Sequence, residues 1–132
     1  MGITNLKSIY YFVKFDYKAR LDSIYVNILG SQEDQESFQV SENVIIDIDS
    51  EKIPLQFKIV DASVLFQEKK SLLKNLSNVK IDLKVDSKSV NFKGQIDFAI
   101  DNDILRKEID VTAPNDIKMP EMEGTYAAGR SF

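Results

Sequence analysis

Four aspartates are the residues of this chain whose type and spacing could do chemistry. Asp16 and Asp22 lie in "FDYKARLD", and Asp47 and Asp49 in "IIDIDS". Two carboxylates can divide acid and base work when their surroundings push their pKa values apart, or they can share a divalent cation through oxygen ligands. The sequence offers little else to help them. It has no histidine and no cysteine. That removes the usual general base near neutral pH, the usual transition-metal ligand and all thiolate chemistry. Catalysis would rest on Asp, Glu, Lys, Arg, Ser, Thr or Tyr.

The Asp pair at 47 and 49 fails the cation pattern. An EF-hand loop starting at Asp47 needs Gly at its sixth position and a bidentate Glu at its twelfth; Lys52 and Lys58 stand there instead. The flanks alternate as strands do, whereas such a loop joins helices. In a strand Asp47 and Asp49 share a face, opposite Ile46 and Ile48. The pattern reads as a hairpin corner, with "SEKIP" as the turn and Pro54 at its exit, where a missing N–H costs nothing. Exposed corner carboxylates contribute little, so replacing both by Asn is expected to leave stability nearly unchanged. No catalytic, cofactor-binding or metal residue is expected. Asp47, Asp49, Asp16 and Asp22 are the candidates should a metal or an acid pair exist.

The elements that must position these residues are mostly strands. Ile9–Phe15 is aromatic and β-branched and reads as a strand covered on both faces. Alternation marks further strands: Ile24, Val26 and Ile28; Phe38 and Val40; Val44, Ile46 and Ile48; Leu55, Phe57 and Ile59. At Asp61 the period changes. "DASVLFQEKKSLLKNL" carries a helical apolar stripe through Leu65, Leu72 and Leu76, with Asp61 or Ser63 as its N-cap. Lys69, Lys70 and Lys74 fall on its solvated face near the C-terminal end, where positive charge suits the helix dipole.

Beyond it, Val79–Val85, Val90–Ile100 and Leu105–Ala113 alternate again, and the lone Gly94 suggests a bulge. One-sided alternation points to antiparallel strands with one wet face. The expected fold is α+β, mostly antiparallel: about eight strands in two meanders, with one main helix at 62–76 between them. Residues 1–113 form one domain in this reading, with 1–66 and 79–113 as its two meanders, and 114–132 a flexible tail. Ile46, Ile59, Ile81 and Phe98 are expected core residues. The first strand and the strand before Pro114 are the expected sheet edges.

"DIDSEKIPLQFKIVDAS" resembles, without a gap, the second motif of a small prokaryotic family of unknown function, roughly D-x-D-x-x-G-x-[VL]-V-G-I-E-I-L-D-A-S. The match falls on Asp47, Asp49, Leu55, Ile59, Asp61, Ala62 and Ser63. "FDYKARLDSIYV" is similar to that family's first motif, Y-D-x-E-A-D-A-L-Y-I, at Phe15, Asp16, Asp22, Ile24, Tyr25 and Val26, with two extra residues between the aspartates. Lys52, Gln56 and Lys58 depart from the pattern, so the resemblance is to a divergent member and spans about half the chain, Val13 to Phe66. It implies a small antiparallel sheet followed by a helix and no established activity. Some members of that family resemble partners that neutralise small toxin-like proteins.

Composition bounds the rest. With 132 residues, 43% of them apolar and 29% charged, the chain can bury a core without staples. A net charge of -4 with scattered lysines gives no continuous basic footprint, so no nucleic-acid partner is expected. No apolar run approaches the roughly 20 residues of a membrane span. Gly2 lacks the Ser/Thr that a myristoylation signature wants. No membrane partner and a cytoplasmic location are expected. The function expected is a non-enzymatic protein-interaction or self-assembly module, as a homodimer or larger, in which Met119, Met122, Tyr126 and Phe132 offer docking side chains. A carboxylate-based metal-dependent hydrolase or a small-ligand-binding protein is the alternative.

Overall fold

A computed structural model of the protein describes residues 8–30 and 36–129. Gly2 and Phe132 lie outside the described residues. In chain order the elements are β1 (Ser8–Lys18), β2 (Ser23–Ile28), β3 (Glu36–Gln39), β4 (Val44–Ile48), β5 (Pro54–Ile59), α1 (Ala62–Phe66), α2 (Lys70–Leu73), β6 (Leu76–Val85), β7 (Ser89–Ile100), β8 (Asp103–Pro114) and β9 (Met122–Gly129). The nine strands form one sheet in the order β3-β4-β5-β2-β1-β9-β6-β7-β8.

This overturns the α+β expectation. The fold is mostly β, and the helix expected at 62–76 is two short pieces. Its break has a local cause. Gln67 adopts a left-handed conformation (φ 56°), its N–H bonds Val64 O at 3.3 Å, and the Glu68 N–H bonds Ser63 O at 3.1 Å. Those two bonds are a Schellman stop, made here without the glycine that would announce it. β6 then starts at Leu76, which pairs with Phe98.

The two expected meanders are two Greek keys. β2 lies beside β5, so β2 to β5 run 2-5-4-3 across the sheet, and β9 returns past β7 to lie beside β6, giving 9-6-7-8. β1 joins the keys. Its first half, Ser8–Phe12, pairs in parallel with β9, and its second half, Val13–Lys18, pairs antiparallel with β2. The sheet is therefore mixed. β1 is central, and the edges are β3 and β8. The expectation of an edge before Pro114 holds; that of an edge at the first strand does not.

The sheet curls on itself. Phe57 of β5 and Phe92 of β7 stand five strands apart in the ladder, about 24 Å in a flat sheet. Their ring centroids are 5.7 Å apart. The inner faces of the two keys thus form one core. Ile46, Ile59, Ile81 and Phe98 are fully buried in it, as their alternation predicted. Gly94 makes no bulge: it pairs in register with Ile81 and Ile109. A Cβ there would come within 3.2 Å of the Phe92 ring, which covers the glycine.

The expected flexible tail instead contains the central strand β9. Asn115 anchors its approach. The Asn115 Nδ2 donates to Asp86 O (2.9 Å) and Met119 O (3.0 Å), and its Oδ1 accepts from Met119 N–H (2.8 Å). Met119 and Tyr126 are buried in the chain's own core rather than offered to a partner. The Tyr126 ring stacks on Tyr11 at 4.6 Å and meets Phe57 edge-on at 4.8 Å.

Candidate functional site

The four candidate carboxylates stand in four separate settings. Asp49 is the expected corner: its Oδ1 accepts from the N–H of Glu51 (2.8 Å) and of Ile53 (3.0 Å), closing the β4–β5 turn. Asp16 is exposed on the outer face of β1, opposite Tyr25. Asp47 lies on the same outer face but on β4, three strands away, so about 14 Å separates those two strands.

Asp47 was expected to be exposed and is not. Its side chain is 1% accessible. Strands β3 and β5 flank it, placing Ser37 and Gln56 directly across from it. Ser37 Oγ donates at 2.6 Å, Gln56 Nε2 at 2.7 Å, and Lys58 Nζ lies 3.0 Å from Oδ2. Burial pushes this carboxyl upward, but the bonds from Ser37, Lys58 and Gln56 and the lysine charge outweigh it, and the pKa falls below the usual value. A carboxylate held ionised, with both oxygens engaged and no open face, is a structural ion-pair partner. The exposure on which the double-Asn expectation rested is absent at this residue.

Asp22 closes the β1–β2 turn in a left-handed conformation (φ 50°). It reaches across to α1, where its carboxylate accepts from Ser63 N–H (3.0 Å), Ser63 Oγ (2.7 Å) and Tyr17 Oη (2.7 Å). Burial raises its pKa, and the bonds from Ser63 and Tyr17 lower it by more. The same contact, with burial first, pushes the Tyr17 phenol up. Asp22 is thus the cap of α1; Asp61, at the cap position, makes no side-chain cap bond. Among the described residues no three acidic side chains gather where they could hold a metal ion.

Sequence reasoning missed a second buried acid. Asp97 of β7 takes Arg106 Nε and Nη2 at 2.8 and 3.0 Å, with Asn78 Nδ2 at 3.3 Å. The guanidinium holds its pKa below the ordinary range. The signal was present in the hairpin register, which sets Asp97 directly opposite Arg106.

The outer face of β6, β7 and β9 carries an open depression of about 350 Å³ lined by Asp82, Lys84, Asn91, Lys93, Glu123 and Thr125. Its charges are of both signs. Asp82 already accepts from Thr125 Oγ1 at 2.7 Å, and Lys84 lies 3.8 Å from Glu123. No polar group there is buried and unpartnered.

A third feature lies on the outer face of β1. The strand was expected to be covered on both sides, yet Tyr10 is 71% and Phe12 79% accessible. Alternation sends Tyr11 and Val13 to the core and Tyr10 and Phe12 outward. The Leu29 N–H bonds Phe12 O at 3.3 Å, which sets Leu29, itself 50% accessible, beside Phe12. The surrounding outer-face residues are polar or small: Lys14, Asn27, Thr125 and Ala127. The chain matches no protein-family model, no curated protein and no solved structure. No helix among the described residues is long and apolar enough to cross a membrane.

Proposed function

We propose that this protein is a non-enzymatic interaction module that works in the cytoplasm by binding protein, its own kind included. One observation carries the reading: two aromatic side chains stand more than two-thirds exposed on a central strand, beside the half-exposed Leu29 and among neighbours that are otherwise polar or small. Aromatics so placed are the usual anchors of protein interfaces. The carboxylates support it from the other side, since Asp22, Asp47 and Asp97 are all committed to internal partners. The motif resemblance around 47–63, to a prokaryotic family with neutralising partners among its relatives, points to the same class. The test is affinity capture of the full chain under native conditions, with mass spectrometry of what is retained, a differently tagged copy included. Specific retention that is lost with Phe12→Ser is expected. Retention of nothing, not even a second copy, would overturn the reading.

A further inference from the structure

We infer that the outer face of β1 is a two-fold interface between copies of this chain, with Tyr10, Phe12 and Leu29 at its centre. This rests on the interaction reading above and names the partner. β1 lies inside the sheet, held by β9 over Ser8–Phe12 and by β2 over Val13–Lys18. Tyr10 and Phe12 stand out from its face rather than along an edge, so a partner that covers them meets the strand face to face through side chains.

The patch has the size and the charge pattern for that. Its three apolar side chains expose roughly 400 Å², in the range of patches that mark interaction sites. That is about half of the ~800 Å² per partner that a stable complex buries, which leaves a polar rim of similar extent. The rim is self-complementary. Lys14 follows Phe12 at one end of the patch, and Glu123 lies at the other end, paired through the backbone with Ser8. A two-fold axis in the interface, running across the strands between Tyr10 and Phe12, lays each Phe12 on the other copy's Tyr10. It also brings each Lys14 to the Glu123 end of the other copy. Like ends never meet. Among the described residues Glu123 has one ion-pair contact, a long 3.8 Å to the exposed Lys84, which leaves it able to meet a second cation.

Sedimentation equilibrium of the full chain at micromolar concentration tests this. A monomer–dimer equilibrium is expected, and Tyr10→Ser with Phe12→Ser should weaken it by at least about tenfold. Thermal melting should stay near wild type, because neither side chain is in the core. The charge pair gives a second measurement that leaves the aromatics in place. Lys14→Glu and Glu123→Lys should each weaken the dimer, and the two together should restore it. A monomer at all concentrations overturns the inference, as does a dimer indifferent to the aromatic pair or a double charge reversal that fails to restore. A monomer that still retains a different protein by affinity capture would remove the self-association while the interaction reading stands.

Discussion

At the scale of single residues, the energetic weight lies in carboxylates whose spacing first suggested chemistry. Asp47 is walled in by Ser37, Gln56 and Lys58. Asp47→Asn keeps the shape but removes the charge that two donors and a lysine are arranged around. Its expected cost is about 1–3 kcal/mol, the range for hydrogen bonds to a charged group. The lysine, 29% accessible, can turn to water and limit the loss. Urea unfolding at neutral pH measures it. The folded pKa of Asp47 is depressed, against about 3.9 in the unfolded chain. Its contribution is thus complete above that unfolded value and lost as pH falls through the lower folded value. Asp22 and Asp97 are shifted the same way, so stability should drop steeply below about pH 4, and less steeply in Asp47→Asn. At Asp22, Ala in place of the carboxylate frees the first turn of α1 and should cost about 1 kcal/mol, as loss of a cap does. Ser63→Ala should cost less, because the backbone N–H of residue 63 still has its acceptor.

At the scale of elements, alternation was a reliable guide to which strands exist and which way they face. Ile46 and Ile59 in the first key, and Ile81 and Phe98 in the second, are buried as their phase required. Three things were not legible, each for a physical reason. The stop at Gln67 uses a left-handed residue that is not glycine, so no composition signal marks it. Asp47 follows the outward phase correctly, yet burial on that face comes from the flanking strands β3 and β5, and neighbours across a sheet are invisible to a local pattern. β9 reads "MEGTYAAG", poor in β-branched residues, because its inward positions are shaped by one ring. A Cβ on Gly124 would meet Tyr126 at 3.0 Å. Gly124→Val should therefore destabilise by about 1–3 kcal/mol as overpacking does, despite the better strand propensity of valine. Asn115→Ala tests the approach to β9. It leaves the carbonyls of Asp86 and Met119 and one N–H without their partner, and a loss of about 1–3 kcal/mol is expected where such groups stay buried.

At the scale of the molecule, the two Greek keys depend on a contact between the ends of the chain. β1 pairs with β9 over Ser8–Phe12 and Glu123–Ala127, so the seam between the keys cannot close until the C-terminal segment is present. Such distant pairing requires a long loop to close before any contact rewards it, which makes folding slow and late-completing. The same topology changes what truncation means. A chain ending at Pro114 would test a docking tail if 115–132 were loose. Here it removes Met119 and Tyr126 from the core and leaves β1 and β6 with unpaired edges in the middle of the sheet. Losing a buried aromatic alone costs about 3–5 kcal/mol, and a domain of this size has only about 5–15 kcal/mol in total. The shortened chain is expected to lose its near-ultraviolet circular dichroism and any cooperative thermal transition, whatever the oligomeric state of the full chain. A sharp, reversible melt in that shortened chain would show that β6, β7 and β8 fold against the first key without β9, and that β1 is held there by β2 alone.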